Sequence, residues 1–393
     1  MRIGLVGTGK IACEALGVFS TMPDVVTVVS AFARRHSRSK AEALAAEYGI
    51  EEVYDDYDLM LAHTEANFIY VCLVNSAHYD YAARALQAGF NVIVEKPMCP
   101  TVAQVESLAA MARERGLLLV EAMTLLHEPN FKAIKSAVAR LGRIKAVKCN
   151  YSQRSSRYDR FLRHDVAPAF DPALCGGALL DLNVYNLTFV TALFGMPASH
   201  SYLANRGYNG IDTSGTLTLN YRQFVAECSA AKDRYGDNFG YIEGENGYLR
   251  VKGPVSELRE AEITIGGRTE AVGAPLVGHR MEAEFREFDR MLRCGDRAEA
   301  DRLLWHDIKP FVCKMGDMCR YAAELVGALS AGDASAVAAT RSKIKTLDSD
   351  PRYMFNVLNG MGDDIQLSQR VANPSAKVLR PFLGWLDMQL DQQ

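Results

Sequence analysis

The chain lacks a C-x-x-C pair. Its nine cysteines, Cys13, Cys72, Cys99, Cys149, Cys175, Cys228, Cys294, Cys313 and Cys319, are scattered and odd in number. That pattern argues against a disulfide framework or a zinc site and suits reduced thiols in a cytoplasmic protein. An excess of one charge is also lacking. With 44 basic against 47 acidic side chains the net charge is -3, which offers no general attraction to nucleic acid or to an anionic membrane. No apolar run reads as long enough to span a bilayer, and an apolar strand pattern starting at residue three leaves no room for a signal peptide. Internal repeats, low-complexity segments and flexible linkers are absent as well. What remains is an ordinary globular composition, 49% hydrophobic and 23% charged over 393 residues, enough for two domains or one domain with a large elaboration.

What is present begins at the first dozen residues. Ile3, Leu5 and Val6 read as a short buried strand, Gly7-Thr8-Gly9 as a turn, and Lys10 to Ser20 as a helix. The pattern is G-x-G-x-x-A, with Ala12 in the last position. Gly7 permits the tight turn and Gly9 lets backbone approach a pyrophosphate. Ala12 keeps helix and strand close, and the helix N-terminus offers free N–H groups to phosphate. Gly7, Thr8, Gly9, Lys10 and Ile11 are therefore expected to wrap a dinucleotide.

A second strand is expected over Asp24–Phe32. The residue reading the adenosine ribose follows such a strand, and an acid there favours NAD. This chain has Ala33-Arg34-Arg35-His36-Ser37-Arg38 instead. Cations without a carboxylate favour a 2′-phosphate, so Arg34 and Arg35 point to NADP, with NAD as second choice. The alternative is a solvated basic turn before the helix Ser39–Tyr48. Phe68–Val74 reads as a continuous buried strand, and Asn75 and His78 follow at its C-terminal edge, where open α/β sheets bind ligands. Both could face the cofactor; Asn75 could instead cap the next helix. Asn91–Val94 is the next strand, and Glu95-Lys96-Pro97 ends it, placing an amine at the cleft before a proline that restricts it to extended geometry. A helix over Thr101–Arg115 and a strand over Leu117–Glu121 complete a βαβ pattern.

From about Phe131 the pattern changes. A helix over Asn130–Arg140 leads to an alternating strand, Ile144–Tyr151, then to a basic stretch with Arg154, Arg157, Arg160 and Arg163. That stretch either binds a substrate carboxylate or phosphate or is a solvated or subunit-contact face. An apolar helix, Ala178–Phe194, follows. Four β-like runs come next (Gly215–Tyr221, Val225–Ala231, Gly247–Lys252, Glu262–Ile265), and then helices over Arg280–Cys294, Ala298–Ser330 and Ser335–Lys345. The expected fold is α/β: an N-terminal Rossmann dinucleotide-binding domain, 1–124, and a C-terminal α+β domain with an open, mainly antiparallel sheet, 125–393. Asp181 and Tyr185, four apart, share one face of the apolar helix, and polar groups there want a cleft or partners. Moving a hydride from an alcohol to a nicotinamide needs a group to take the hydroxyl proton. A tyrosine beside a lysine ammonium can do this, and so can the lysine. The alternative is that Asp181 pairs locally and Tyr185 is a core tyrosine.

Taken together, Ile3–Ala12, Val74-Asn75-x-x-His78, Glu95-Lys96-Pro97 and Gly176-Gly177-Ala178-Leu179-Leu180-Asp181-x-Asn183-x-Tyr185 resemble the glucose–fructose oxidoreductase/inositol dehydrogenase/MocA family in order and spacing, over roughly the first three-quarters of the chain. The resemblance implies a Rossmann domain followed by a domain whose open sheet serves substrate binding and often dimerisation. It also implies that the lysine of the E-K-P motif, Lys96, is catalytic. Tyr185 stands where many members have histidine, as in the branch resembling dihydrodiol dehydrogenases, which usually prefers NADP. Departures are Cys175 and Asn183 in place of glycines, Cys72-Leu73-Val74 at a strand edge often reading Thr-Pro, and Leu125 and Leu126 where an aromatic and an arginine are common. The helical extension beyond Trp305 has no obvious family counterpart. The expectation is an NADP-preferring oxidoreductase of sugar, polyol or cyclic-diol hydroxyls that needs no metal. Lys96 and Tyr185 handle the proton, Asp181 orients them or the substrate, and Asn75, His78 and Glu95 line the nicotinamide side. A homodimer or dimer of dimers is expected. The competing class is a non-catalytic NADP(H)-sensing protein on the same fold.

Overall fold

The computed structural model describes residues 1–304 and 331–349, with isolated positions between 321 and 328. Most of the helix expected over 298–330 and most of the extension beyond Trp305 lie outside the described residues; the helix expected over Ser335–Lys345 is present as Ala334–Ser349. Ten labelled helices are α1 (Lys10–Phe19), α2 (Arg38–Tyr48), α3 (Tyr57–His63), α4 (His78–Gln87), α5 (Val102–Arg115), α6 (Pro129–Val138), α7 (Tyr158–Leu162), α8 (Val184–Phe194), α9 (Met281–Cys294) and α10 (Arg297–Leu304).

The first sheet holds β1 (Arg2–Val6), β2 (Thr27–Phe32), β3 (Glu52–Tyr54), β4 (Phe68–Val71), β5 (Asn91–Glu95) and β6 (Leu119–Ala122), all parallel, in the order β3-β2-β1-β4-β5-β6. Helices cover both faces, so the strands are apolar on both sides rather than alternating. In β4, Phe68 and Tyr70 belong to one core cluster while Ile69 and Val71 belong to the opposite one, and all four are buried. The strand order reverses between β1 and β4, which opens a crevice at their C-terminal edges. The second strand proves shorter than Asp24–Phe32 because Met22 to Val26 form a hydrogen-bonded turn closed by Val26 N–H on Met22.

The second sheet holds β7 (Ile144–Ser152), β8 (Ser199–Arg206), β9 (Asp212–Tyr221), β10 (Phe224–Ala231), β11 (Phe239–Gly244), β12 (Gly247–Lys252), β13 (Glu260–Ile265) and β14 (Arg268–Val272). Their order is β14-β13-β12-β11-β7-β10-β9-β8, antiparallel except for β7 beside β10. Strands β8, β11 and β14 were not legible as separate runs. Their fully buried positions are few: Ser199 in β8, Gly240 and Ile242 in β11, and Val272 in β14. One face packs on α6 and α8 through Val147, Cys149, Leu217, Leu219, Ala226 and Cys228; on the other, Leu203 and Val225 are exposed.

Two expectations are corrected here. First, the stretch Pro172–Phe194 does reach the length and hydropathy of a membrane span, but 83% of its most apolar window is buried within the protein, and its unbroken helix begins only at Ala178, after left-handed Cys175. Its first part is a π-turn, Leu179–Asn183, running into α8. Second, α9 was assigned with the second sheet, yet Met281, Phe285, Phe288 and Met291 complete the core of the first one. Phe285 meets Phe19 edge-on at 4.6 Å and Tyr70 at 5.4 Å. The apolar positions of α9 fall at helical spacing, and no linear pattern says which sheet they cover. Of the two residues that stand in place of family glycines, Cys175 is the left-handed one, with φ 57. Asn183 is right-handed, and its side-chain amide donates to Cys228 O at 2.8 Å, tying the π-turn to β10.

Candidate active site

The glycine turn joins β1 to α1. Gly7 has φ +121, and a Cβ there would lie 2.5 Å from the carbonyl oxygen of Cys72, so only glycine fits. Gly9 is the N-cap of α1, no side chain caps it, and the first turn carries no acid. The first N–H groups of α1 therefore face the crevice unsatisfied by protein, which suits a phosphate. A cleft of about 680 Å³ opens there, and Gly7, Thr8, Gly9, Lys10 and Ile11 all line it. The cradle fits a dinucleotide.

Beyond β2, Arg34 and Ser37 line the cleft. Arg34 has no carboxylate partner among the described residues. Arg35, expected beside it, is not among the lining residues, and Arg38 is taken by Glu42 and Asp55 at 2.8 and 3.0 Å. Asn75 lines the cleft, but its side chain neither caps α4 nor is free. It donates to Cys175 O at 2.8 Å and so ties the two sheets' units together. His78 borders the cleft fully buried, with Nδ1 3.0 Å from Pro97 O and Nε2 3.1 Å from Leu73 O. Burial holds its pKa below the ordinary histidine value, so the ring is neutral and donates to one of these carbonyls. His78 braces the segment after Lys96 rather than offering a group to a ligand. Glu95 is buried and accepts the Tyr70 hydroxyl, and burial raises its pKa.

At the inner end of the cleft the two sheets meet through three charges. The Lys96 ammonium, at the C-terminal edge of β5, donates to Asp181 O at 2.7 Å and Asp181 Oδ1 at 3.2 Å. It sits 4.7 Å from the centre of the Tyr185 ring. The π-turn places Asp181 and Tyr185 toward the same lysine, and both line the cleft. Lys232, just after β10, donates to Asp181 Oδ2 at 2.6 Å. Burial alone would lower the Lys96 pKa, but Tyr185, Asp181 and Glu95 outweigh it and hold the ammonium well above its usual value. Burial would raise Asp181, but Lys232 and Lys96 hold it well below the usual carboxylate range. Lys96 is thus a charged group at neutral pH.

The structure adds residues that sequence reasoning missed. Lys232 had one faint signal, a lysine directly ending an apolar strand, the same signal that marked Lys96. Arg280 had none. It precedes α9, lines the cleft, and donates to Glu14 Oε1 at 2.7 Å and Thr124 Oγ1 at 3.4 Å. In the basic stretch, Arg154 pairs with Asp159 and Arg160 with Asp165 as local surface pairs. Arg157 and Arg160 also line the cleft mouth.

Comparisons with known proteins bear on the family and the fold. Residues 1–123 match the profile of the oxidoreductase family with an NAD-binding Rossmann fold, and residues 131–250 match the GFO/IDH/MocA C-terminal domain. An uncharacterized oxidoreductase of Escherichia coli is 31% identical over 55% of this chain and 67% of its own length. The NADP(+)-dependent scyllo-inositol 2-dehydrogenase of Bacillus subtilis is 28% identical over 75% of this chain and 88% of its own. The trans-1,2-dihydrobenzene-1,2-diol dehydrogenase of Macaca fascicularis is 30% identical over 56% of this chain and 65% of its own. A 3-ketoreductase from Actinomadura kijaniata, crystallised with NADP, shares the fold with a TM-score of 0.67 at 24% identity, covering 80% of this chain and 97% of that one. With an NAD(P)-binding Rossmann domain, a matching C-terminal domain and the expected motifs in place, the chain belongs to the glucose–fructose oxidoreductase/inositol dehydrogenase/MocA family of oxidoreductases.

Proposed function

We propose that the protein is an NADP-preferring dehydrogenase or reductase acting on the hydroxyl or carbonyl of a sugar, polyol or cyclic diol. One observation carries the reading: Lys96, Asp181 and Tyr185 converge at the inner end of the cleft that begins at the glycine turn. Bound NADP supplies the hydride acceptor, or as NADPH the donor. The chain's own residues then manage the proton and the charge. Lys96, kept cationic by its neighbours, gives a hydrogen bond and a positive field to the substrate oxygen. Tyr185 takes the hydroxyl proton in oxidation and returns it in reduction. Asp181 orients Lys96 through two contacts. Arg34 and Ser37 border the position beyond β2 that a 2′-phosphate would take, which supports NADP over NAD. The exposed apolar positions of the second sheet, Leu203 and Val225, support assembly as a homodimer, which the mass in solution would test.

Turnover of a panel of sugars, inositols and diols with NADP+ tests the reading. Lys96→Met should abolish that turnover while NADPH binding, read by fluorescence, stays within about two-fold. Micromolar NADPH binding without turnover of any member would favour a nucleotide sensor instead.

A further inference from the structure

Asp181 carries two lysines, and the proposed chemistry uses one. Lys232 is built into the fold rather than placed on its surface. Its N–H donates to Thr213 O at 2.8 Å, and its carbonyl accepts Ser155 N–H at 2.9 Å. Its side chain is 3% exposed. Nζ donates to Asp181 Oδ2 at 2.6 Å and Ala169 O at 2.9 Å, and sits 4.9 Å from the centre of the Phe170 ring. Lys96 reaches the other oxygen, Oδ1, from the opposite sheet. Burying an ammonium is costly unless it is paired and hydrogen-bonded. One cation already neutralises Asp181, so charge balance does not require the second.

We propose that Lys232 is a positioning residue of this site: by holding Oδ2 of Asp181 it fixes the carboxylate for Lys96 and keeps Lys96 from being fully neutralised, so the trio facing Tyr185 is net cationic. Two ammonium groups and one carboxylate sum to +1. Remove Lys232 and Asp181 cancels Lys96, leaving a neutral pair beside the phenol. The net charge favours the anionic form of whichever group gives up a proton there. The inference rests on the reading of Tyr185 as the proton-transfer group. Other groups face the trio and stay in place in the variants. Arg280, ahead of α9, is paired with Glu14, and Glu95 of β5 adjoins Lys96. Tyr151 of β7 has its ring 6.1 Å from Tyr185, and Asp212 of β9 lies near Lys232.

The test uses the full chain and needs no substrate. Tyr185→Cys puts a titratable thiol at the phenol's position, and its alkylation rate by iodoacetamide is followed against pH. Reading peptides separately by mass spectrometry keeps the exposed Cys13 and Cys294 out of the signal. Adding Lys232→Met should raise the thiol's midpoint by about one pH unit, and Lys232→Arg should restore it. An unchanged midpoint overturns the proposal, and so does an equal rise in Lys232→Arg. If Lys232→Met does not fold, as judged by thermal melting and NADPH fluorescence, Lys232→Gln removes the charge for the same comparison. A null result here removes Lys232 and leaves the oxidoreductase reading standing. A shifted midpoint with no turnover of the sugar and diol panel does the reverse.

Discussion

Asp181→Asn tests the centre of the site, because it removes one charge from between two cations. In the native chain Asp181 accepts from Lys96 at 3.2 Å and from Lys232 at 2.6 Å. The amide keeps the shape and loses the charge, which leaves a nearly buried Lys232 ammonium with only Ala169 O and the Phe170 ring for company. Breaking a buried ion pair from one side costs about 3–5 kcal/mol. Asp181 keeps 38% of its side chain exposed, and solvent screening reduces that figure to about 2 kcal/mol. For a chain of this size the melting temperature should fall by roughly 2–3 °C. Because the loss comes from an orphaned cation, Asp181→Asn with Lys232→Met should recover at least about 1 kcal/mol relative to Asp181→Asn alone. The sign with pH follows from the depressed native pKa of Asp181. Its contribution is complete above the unfolded carboxylate value near pH 4 and is lost as pH falls through the lower native value. The gap between native and variant should therefore be constant from about pH 5 upward and narrow below about pH 4. Where a substrate is in hand, kcat/KM should fall about 100-fold through loss of Lys96 orientation. Denaturant or thermal melts at several pH values measure the first effects. A double variant whose losses simply add would refute the account of the trio.

Arg34→Ala should weaken NADPH binding by about ten-fold or more and leave NADH nearly unaffected, since it removes a cation that only the 2′-phosphate needs; equal losses for both cofactors would remove Arg34 from that role. Gly7→Ala forces a Cβ to within 2.5 Å of Cys72 O at a positive φ. Isothermal titration should show NADPH binding lost by at least ten-fold, with a lower melting temperature. His127 packs edge-on to Phe288 at 5.1 Å, and burial lowers its pKa to about 4. The unfolded chain binds this proton near pH 6.5 and the folded one does not, so stability falls as pH drops from about 6.5 to 4. His127→Asn should flatten that part of the stability profile by about 2 kcal/mol, measured by denaturant titration at pH 7 and pH 5.

Much of the site was legible because its parts are local. Gly7 and Gly9 sit in a strand-turn-helix unit whose spacing is set within ten residues, and Lys96 stands between a buried strand and a proline. Asp181 and Tyr185 share a face by their spacing of four, a reading that survived the π-turn. Roles that depend on a distant backbone atom were misjudged. His78 has the right place for a cofactor contact, yet two carbonyls, one from the segment after β5 and one after β4, occupy its ring. Asn75 was weighed as a cap or a cofactor contact, and Cys175 takes its amide from one hundred residues away. Arg35 differs from its neighbour Arg34 only in how the short turn after β2 rotates each residue against the cleft.

The sequence alone determined the family of chemistry: a glycine turn that only backbone at close quarters explains, an amine at a strand edge, and a carboxylate and phenol one helical turn apart. These are short-range facts, fixed by φ, ψ and side-chain period. The tertiary structure decided what the groups do to one another. It brought Lys96 from one sheet and Lys232 from the other onto the two oxygens of Asp181 and set Arg280 at the cleft from a segment nearly a hundred residues later in the chain. It also returned α9 to the first sheet to close its core. Such meetings depend on how two sheets pack, and no spacing along the chain encodes them.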